Sequence, residues 1–187
     1  MNSNDLIEIV RDYVKDKVAP YLWSDAEILR HLRKAERLMC ERTHVLVDPN
    51  ITFDTVASTV SYTIDSNVLR VYAVRVLAND YPLGRLRGRS TKLYMQATEG
   101  EPTVFSSEMS DRNILLYPVP DDVYTMQAIC AIHPSAPIGP TTDSELPAEH
   151  QEELANYAAY RCLITNDVDG ERVGTAGEFQ ELWETYL

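Results

Sequence analysis

Along residues 4–18 the apolar side chains Leu6, Ile9, Val10, Tyr13, Val14 and Val18 recur at i, i+3, i+4 and i+7. This is the spacing of one helical face, and it predicts an amphipathic helix ending at Pro20. A second helix opens in YLWSDAEILRHL, where Ser24 and Glu27 have the S-x-x-E spacing of a capping box and Asp25 puts a favourable charge in the first turn. Ile28, Leu32, Ala35, Met39 and Leu46 form its apolar stripe, and Asp48-Pro49 is expected to stop it.

From residue 51 the period changes. ITFDTV, TVSYTI, VLRVYAVRVL, KLYMQA, PTVFSS, NILLYPVP and VYTMQAICAI are short runs rich in β-branched and aromatic residues, separated by turn signals such as Asp65-Ser66-Asn67, Glu99-Gly100 and Asp121-Asp122. The Pro-rich stretch HPSAPIGPTTDSELP then returns the chain to helical pattern. Pro147 suits a first helical turn, and that helix runs to about Thr165 through Ala155, Ala158 and Ala159. A loop with Gly170 and Gly174 precedes a last helix ending in FQELWETYL. The expected fold class is α+β. Residues 1–50 and 140–187 form a discontinuous helical bundle, and residues 51–139 form an inserted antiparallel β module with the Pro-rich return linker.

Composition narrows the function. The 187 residues are 44% hydrophobic and 25% charged, enough for one ordinary core or a core with a small inserted module. The beginning of the chain is acidic and amphipathic, and its most apolar later stretch is interrupted by Arg70 and Arg75, so no signal peptide and no membrane span are expected. Cys40, Cys130 and Cys162 are odd in number and far apart, which fits reduced thiols better than a disulfide framework. The net charge of −12 is uneven: residues 1–92 carry 14 Lys+Arg against 12 Asp+Glu, and residues 93–187 carry 3 against 17. A general nucleic-acid binder needs a coherent basic surface, whereas a dipolar chain suits neighbours that meet positive region to negative region.

Few residues offer chemistry. In HLRKAERLMCERTH, at about 100° per residue, Cys40 and His44 lie about 40° apart while His31 is about 180° from Cys40, so one helix cannot bring all three to one ion. No HExxH or Cys-x-x-Cys completes a zinc site, and the three are expected to be helix-face residues, with Arg30, Arg33 and Arg37 opposite the apolar stripe. No serine or cysteine stands in a nucleophile motif; His133 and His150 flank the Pro-rich stretch without a recognisable partner; the adjacent carboxylates Asp121-Asp122 and Glu152-Glu153 fit solvation. Neither an enzyme nor a cofactor or metal is expected. In PLGRLRGRSTK, strand alternation would put Arg85, Arg87 and Arg89 on one face, with Lys92 following. The plain reading is a solvated hairpin tip; the functional one is a loop touching phosphates or an acidic neighbour, with Gly84 and Gly88 allowing it to reshape.

Three stretches, YLWSDAEILRHLRKAERLMCERTHVL, NILLYPVPDDVYTMQAI and ELPAEHQEELANYAAYRCL, taken in that order, resemble the head-to-tail adaptor (connector) proteins of tailed bacteriophages. The resemblance implies a virion protein, found in the host cytoplasm during assembly. It would form a ring of about twelve copies beneath the portal protein, joined to a tail or nozzle protein and surrounding the DNA channel, with transient contact to genomic DNA. The ring or channel contacts would come from Arg30, Arg33, Arg37, Arg85, Arg87, Arg89 and Lys92. Two alternatives stand beside it: a DNA-packaging or DNA-binding accessory using the same arginines, and a peptidoglycan hydrolase, an activity linked to some related adaptors.

The C-terminal segment has its own pair of readings. Phe179, Leu182, Trp183 and Tyr186 recur at i, i+3, i+4 and i+7, followed by Leu187. Such a stripe can close the helical core. The adaptor resemblance instead implies portal docking by these five residues, with a last turn that is mobile or borrows a neighbour's surface until it docks, so that removal of residues 183–187 leaves a folded protein.

Overall fold

The computed structural model describes residues 1–86, 98–108, 113–165 and 173–187. They divide into two compact units, one built from Met1–Leu46 and Pro134–Leu187 and the other from Val47–His133. Helices lie at both ends of the chain with strands between them, the α+β arrangement expected from the change in periodicity.

In the helical unit, α1 (Ser3–Val14) starts at Asn2, whose Oδ1 accepts the N–H groups of Asn4 at 2.9 Å and Asp5 at 3.1 Å, while Asp5 takes the Asn2 N–H in return. The helix ends at Val14, well before Pro20. Lys15 turns into the left-handed region at φ 57° and its N–H caps the Arg11 and Asp12 carbonyls. The cause is a polar knot that apolar spacing cannot reveal. The Asp16 carboxylate accepts from the N–H groups of Leu22 and Trp23 and from the Arg11 guanidinium, and Arg11 also donates to the Trp23 carbonyl and to Asp25. Arg11 is buried, its guanidinium 3.8 Å from the Tyr21 ring centroid, whereas Val18, expected on the apolar stripe, is 80% exposed.

Helix α2 (Asp25–Thr43) has the capping box that Ser24 and Glu27 predict, with bonds of 3.3 and 3.4 Å. Ile28, Leu32, Ala35 and Met39 are buried as the stripe requires. The helix stops before Leu46 because His44, at φ 53°, caps it by donating its N–H to the Cys40 carbonyl at 2.9 Å. Asp48 and Pro49, expected as the stop, lie instead inside strand β1. The Pro-rich return belongs to this unit. Ser144 donates its hydroxyl to the buried Glu36 carboxylate at 2.6 Å, Arg33 donates to the Ile138 carbonyl at 2.8 Å, and Ile138 and Leu146 are buried. A single turn, α3 (Ala148–Gln151), leads into α4 (Glu153–Thr165). α4 packs against α1, α2 and α5 (Val173–Tyr186), and its buried Ala155, Ala158 and Ala159 let those neighbours approach closely. The Trp23 indole fixes the α2 start to α4 by donating to the Cys162 carbonyl at 3.1 Å.

The β unit has two four-stranded sheets. One is ordered β1 (Val47–Asp54), β8 (Thr125–Ile132), β3 (Val68–Val76) and β4 (Tyr81–Pro82). The other is ordered β2 (Ser61–Thr63), β7 (Asn113–Tyr117), β6 (Val104–Glu108) and β5 (Gly84–Arg85). Pairing is antiparallel except between the two-residue β5 and β6. Alternating residues, Met126, Ala128 and Cys130 on β8 and Ile114 and Leu116 on β7, share one core with Val71, Val74 and Phe105. On the other face of β8, Gln127 receives two bonds from Arg75 of β3 and donates to the Pro49 carbonyl and Asn50 side chain of β1. β1 is an edge strand, which tolerates Pro49 beside its register shift.

Candidate functional site

Around the α2 axis, Ile28, Leu32, Ala35, Glu36 and Met39 fill a buried arc, with His31 and Cys40 buried at its two edges, about 180° apart. Arg30, Arg33, Lys34 and Arg37 are exposed and occupy the opposite side, so the two-sided helix expected from the sequence is present, with Lys34 an addition to the basic ridge. Arg33 and Arg37 each donate through Nε, to the Ile138 carbonyl and to Glu41, which holds the stem and leaves both Nη groups for another acceptor. Arg161 of α4 carries a buried Nε with no hydrogen-bond partner among the described residues. It lies close enough to His31 to act on it: burial first, then the positive charges of Arg30 and Arg161, lower the imidazole pKa.

His31, Cys40 and His44 do not converge, and among the described residues no group of three or more His, Cys, Asp or Glu side chains is placed to hold a metal ion. Burial pushes the thiols of Cys40 and Cys162 up to about 12 and that of Cys130 up to about 11, the opposite of what a nucleophile needs.

The α5 stripe splits between interior and surface. Trp183 is 2% exposed, inserted against Tyr157, and Phe179 stacks on Tyr13 with centroids 5.3 Å apart. Tyr186 bonds through its hydroxyl to His150 Nδ1, and Leu187 is half-buried. Leu182 points the other way and is 55% exposed. The last turn is therefore helical and seated on its own bundle rather than free, because Trp183 and Phe179 find partners on α4 and α1. Sequence spacing groups these side chains but cannot say which neighbour they meet.

Beside Leu182 runs a groove that sequence reasoning missed, about 590 Å³, between α4 and α5. Leu182 and Tyr186 supply its apolar surface, Glu153, Glu178 and Glu181 its charge, and Asn156 and Thr185 the rest. Three of its seven lining residues are glutamates. The Tyr186 hydroxyl is raised above its ordinary pKa by burial and then by Glu153 and Glu149, and that of Tyr13 by burial and then by Glu152. The i, i+3 spacing of Glu178 and Glu181 was the available signal, indistinguishable in sequence from ordinary solvation.

In the β unit, Arg85 is half-buried on β5 and reaches the Ser107 hydroxyl at 3.4 Å. Arg87, Arg89 and Lys92 lie outside the described residues. Among the described residues no helix is long and apolar enough to cross a membrane.

Comparison with known proteins adds the family. The family model described as SU10 adaptor protein matches residues 1–187. No curated protein matches the chain.

Proposed function

The chain belongs to the SU10 adaptor protein family, a phage head-to-tail adaptor family, and from that premise we propose that it is a non-catalytic structural virion protein forming a ring beneath the portal. In this reading the ring joins the portal to the tail or nozzle protein around the DNA channel. The observation that carries it is the family match over residues 1–187. The two-faced helical unit supports it, since a ring needs two different surfaces on every copy, and a basic α2 ridge and an acidic α4–α5 groove supply two.

Portal docking is assigned to α5. Leu182, with the half-buried Phe179, Tyr186 and Leu187, forms the surface offered to the portal, and Trp183 holds the helix from beneath. Arg85, with Arg87, Arg89 and Lys92, is assigned to the channel side, where a basic segment meets passing DNA. Electron microscopy of the protein mixed with its portal tests the reading. A ring seated on the portal is expected, and portal particles that stay bare at saturating protein would refute it.

A further inference from the structure

We propose that two copies of this chain meet by laying the basic α2 ridge of one into the acidic α4–α5 groove of the other. The inference rests on the ring reading above and names the surfaces that would close such a ring. Both surfaces belong to the helical unit and both are built on helices, so their dimensions can be compared. Arg30, Arg33 and Arg37 stand at i, i+3 and i+7 on an exposed helix face. Glu178, Glu181 and Thr185 stand at the same spacing along one side of the groove. Seven residues rise about 10 Å, or about two helical turns, in each case, so Arg30 and Arg33 can face Glu178 and Glu181 while Arg37 lies beside Thr185 without a shift of register.

The chemistry matches as well as the spacing. An arginine stem can lie along Asn156 and Thr185 on the groove wall while its guanidinium reaches Glu153, Glu178 or Glu181, which leaves the exposed Leu182 to the portal. The ridge brings the exposed side chains of Arg30, Arg33 and Arg37, two of them held through Nε within the chain. The chain cannot make this contact with itself, because the ridge lies on the side of α2 opposite the arc buried in its own bundle. Ridge and groove are different surfaces, so the contact is heterologous and repeats from copy to copy until it closes. A nucleic acid would fit the ridge but not a groove walled by carboxylates.

Charge reversal tests the pairing in the full-length protein by sedimentation velocity. The wild type is expected to self-associate in a concentration-dependent manner that weakens as salt rises. Arg30→Glu/Arg37→Glu and, separately, Glu178→Arg/Glu181→Arg should each weaken association on the order of a hundredfold, with unchanged circular dichroism and melting. Mixing the two variants, or combining all four substitutions in one chain, should restore it. Wild type that stays monomeric at low salt, variants that associate as well as wild type, or a mixture that stays dissociated each overturns the proposal. So does a ridge variant whose only loss is retention of duplex DNA. Binding of wild type to purified portal, measured in parallel, separates the two ideas: if the ridge and groove variants seat on portal in complete rings, this interface is wrong while the adaptor reading stands, and absence of wild-type portal binding refutes that reading by itself.

Discussion

The Trp183 indole lies 5.3 Å from the Tyr157 ring, centroid to centroid, and the two planes are tilted by 54°. One position earlier, Leu182 is 55% exposed on the wall of the α4–α5 groove. Trp183→Ala should therefore cost about 3–5 kcal/mol in denaturant unfolding, as large buried aromatics do. Leu182→Ser should stay within about 0.5 kcal/mol of wild type while weakening portal binding. Removal of residues 183–187 is expected to destabilise the bundle. A truncated chain with an unchanged unfolding midpoint would show that α5 contributes nothing to the core.

Arg11 links α1 to the start of α2 through Asp16, Asp25 and the Trp23 carbonyl. Arg11→Met keeps much of the stem volume but strands the poorly exposed Asp16 carboxylate. The expected cost is about 3 kcal/mol, the usual consequence of leaving one member of a buried pair alone. Limited proteolysis should then cut between residues 15 and 24, and resistance equal to wild type would argue against the knot as the fastener of this loop.

The three thiols should be inert in the native protein. Cys40, Cys130 and Cys162 are fully buried and their pKa values are raised, so an aromatic disulfide reagent should label none of them at neutral pH until denaturant is added, when three react. Rapid labelling of the folded protein would mean that one of these sites opens locally.

Glu36 gives a pH signature. Burial raises its carboxyl above the ordinary range, against hydrogen bonds from the Ser144 hydroxyl and the backbone of Ile138 and Glu145. A raised folded value means that the folded state holds the proton more tightly. The stability this group contributes is thus complete below the unfolded pKa of about 4.3 and is lost as pH rises through the folded value. Glu36→Gln should accordingly be more stable than wild type near neutral pH, with the difference shrinking as pH falls toward about 4. A difference that does not change with pH would exclude this titration.

Local rules made much of the fold legible. The Ser24–Glu27 capping box announces α2, and the alternation of Met126, Ala128 and Cys130 announces a strand with one face in the core. What failed to show were decisions made by distant partners. The end of α1 is set by Asp16 and Arg11 gathering the chain around Trp23, a contact with no periodic signature. Strand order was equally hidden, since β1 pairs with β8 across most of the module. The candidate surfaces were half legible. The basic ridge follows from helical spacing, but Glu153 and Glu178 lie on different helices and become one groove only after α4 and α5 pack.

The division of the chain has a consequence for its synthesis. α1 and α2 leave the ribosome first, yet the helix that covers them both, α4, is separated from them by the whole of Val47–His133. At 5–20 residues per second that interval is on the order of 10 s, long compared with the collapse of a small domain. The β unit, contiguous in sequence, can fold during this wait, while Leu6, Val10, Ile28 and Leu32 remain without their cover. A nascent chain ending after residue 133 should therefore yield a protease-resistant fragment from the β unit and lose α1 and α2 to digestion, and only translation through α4 should protect both ends.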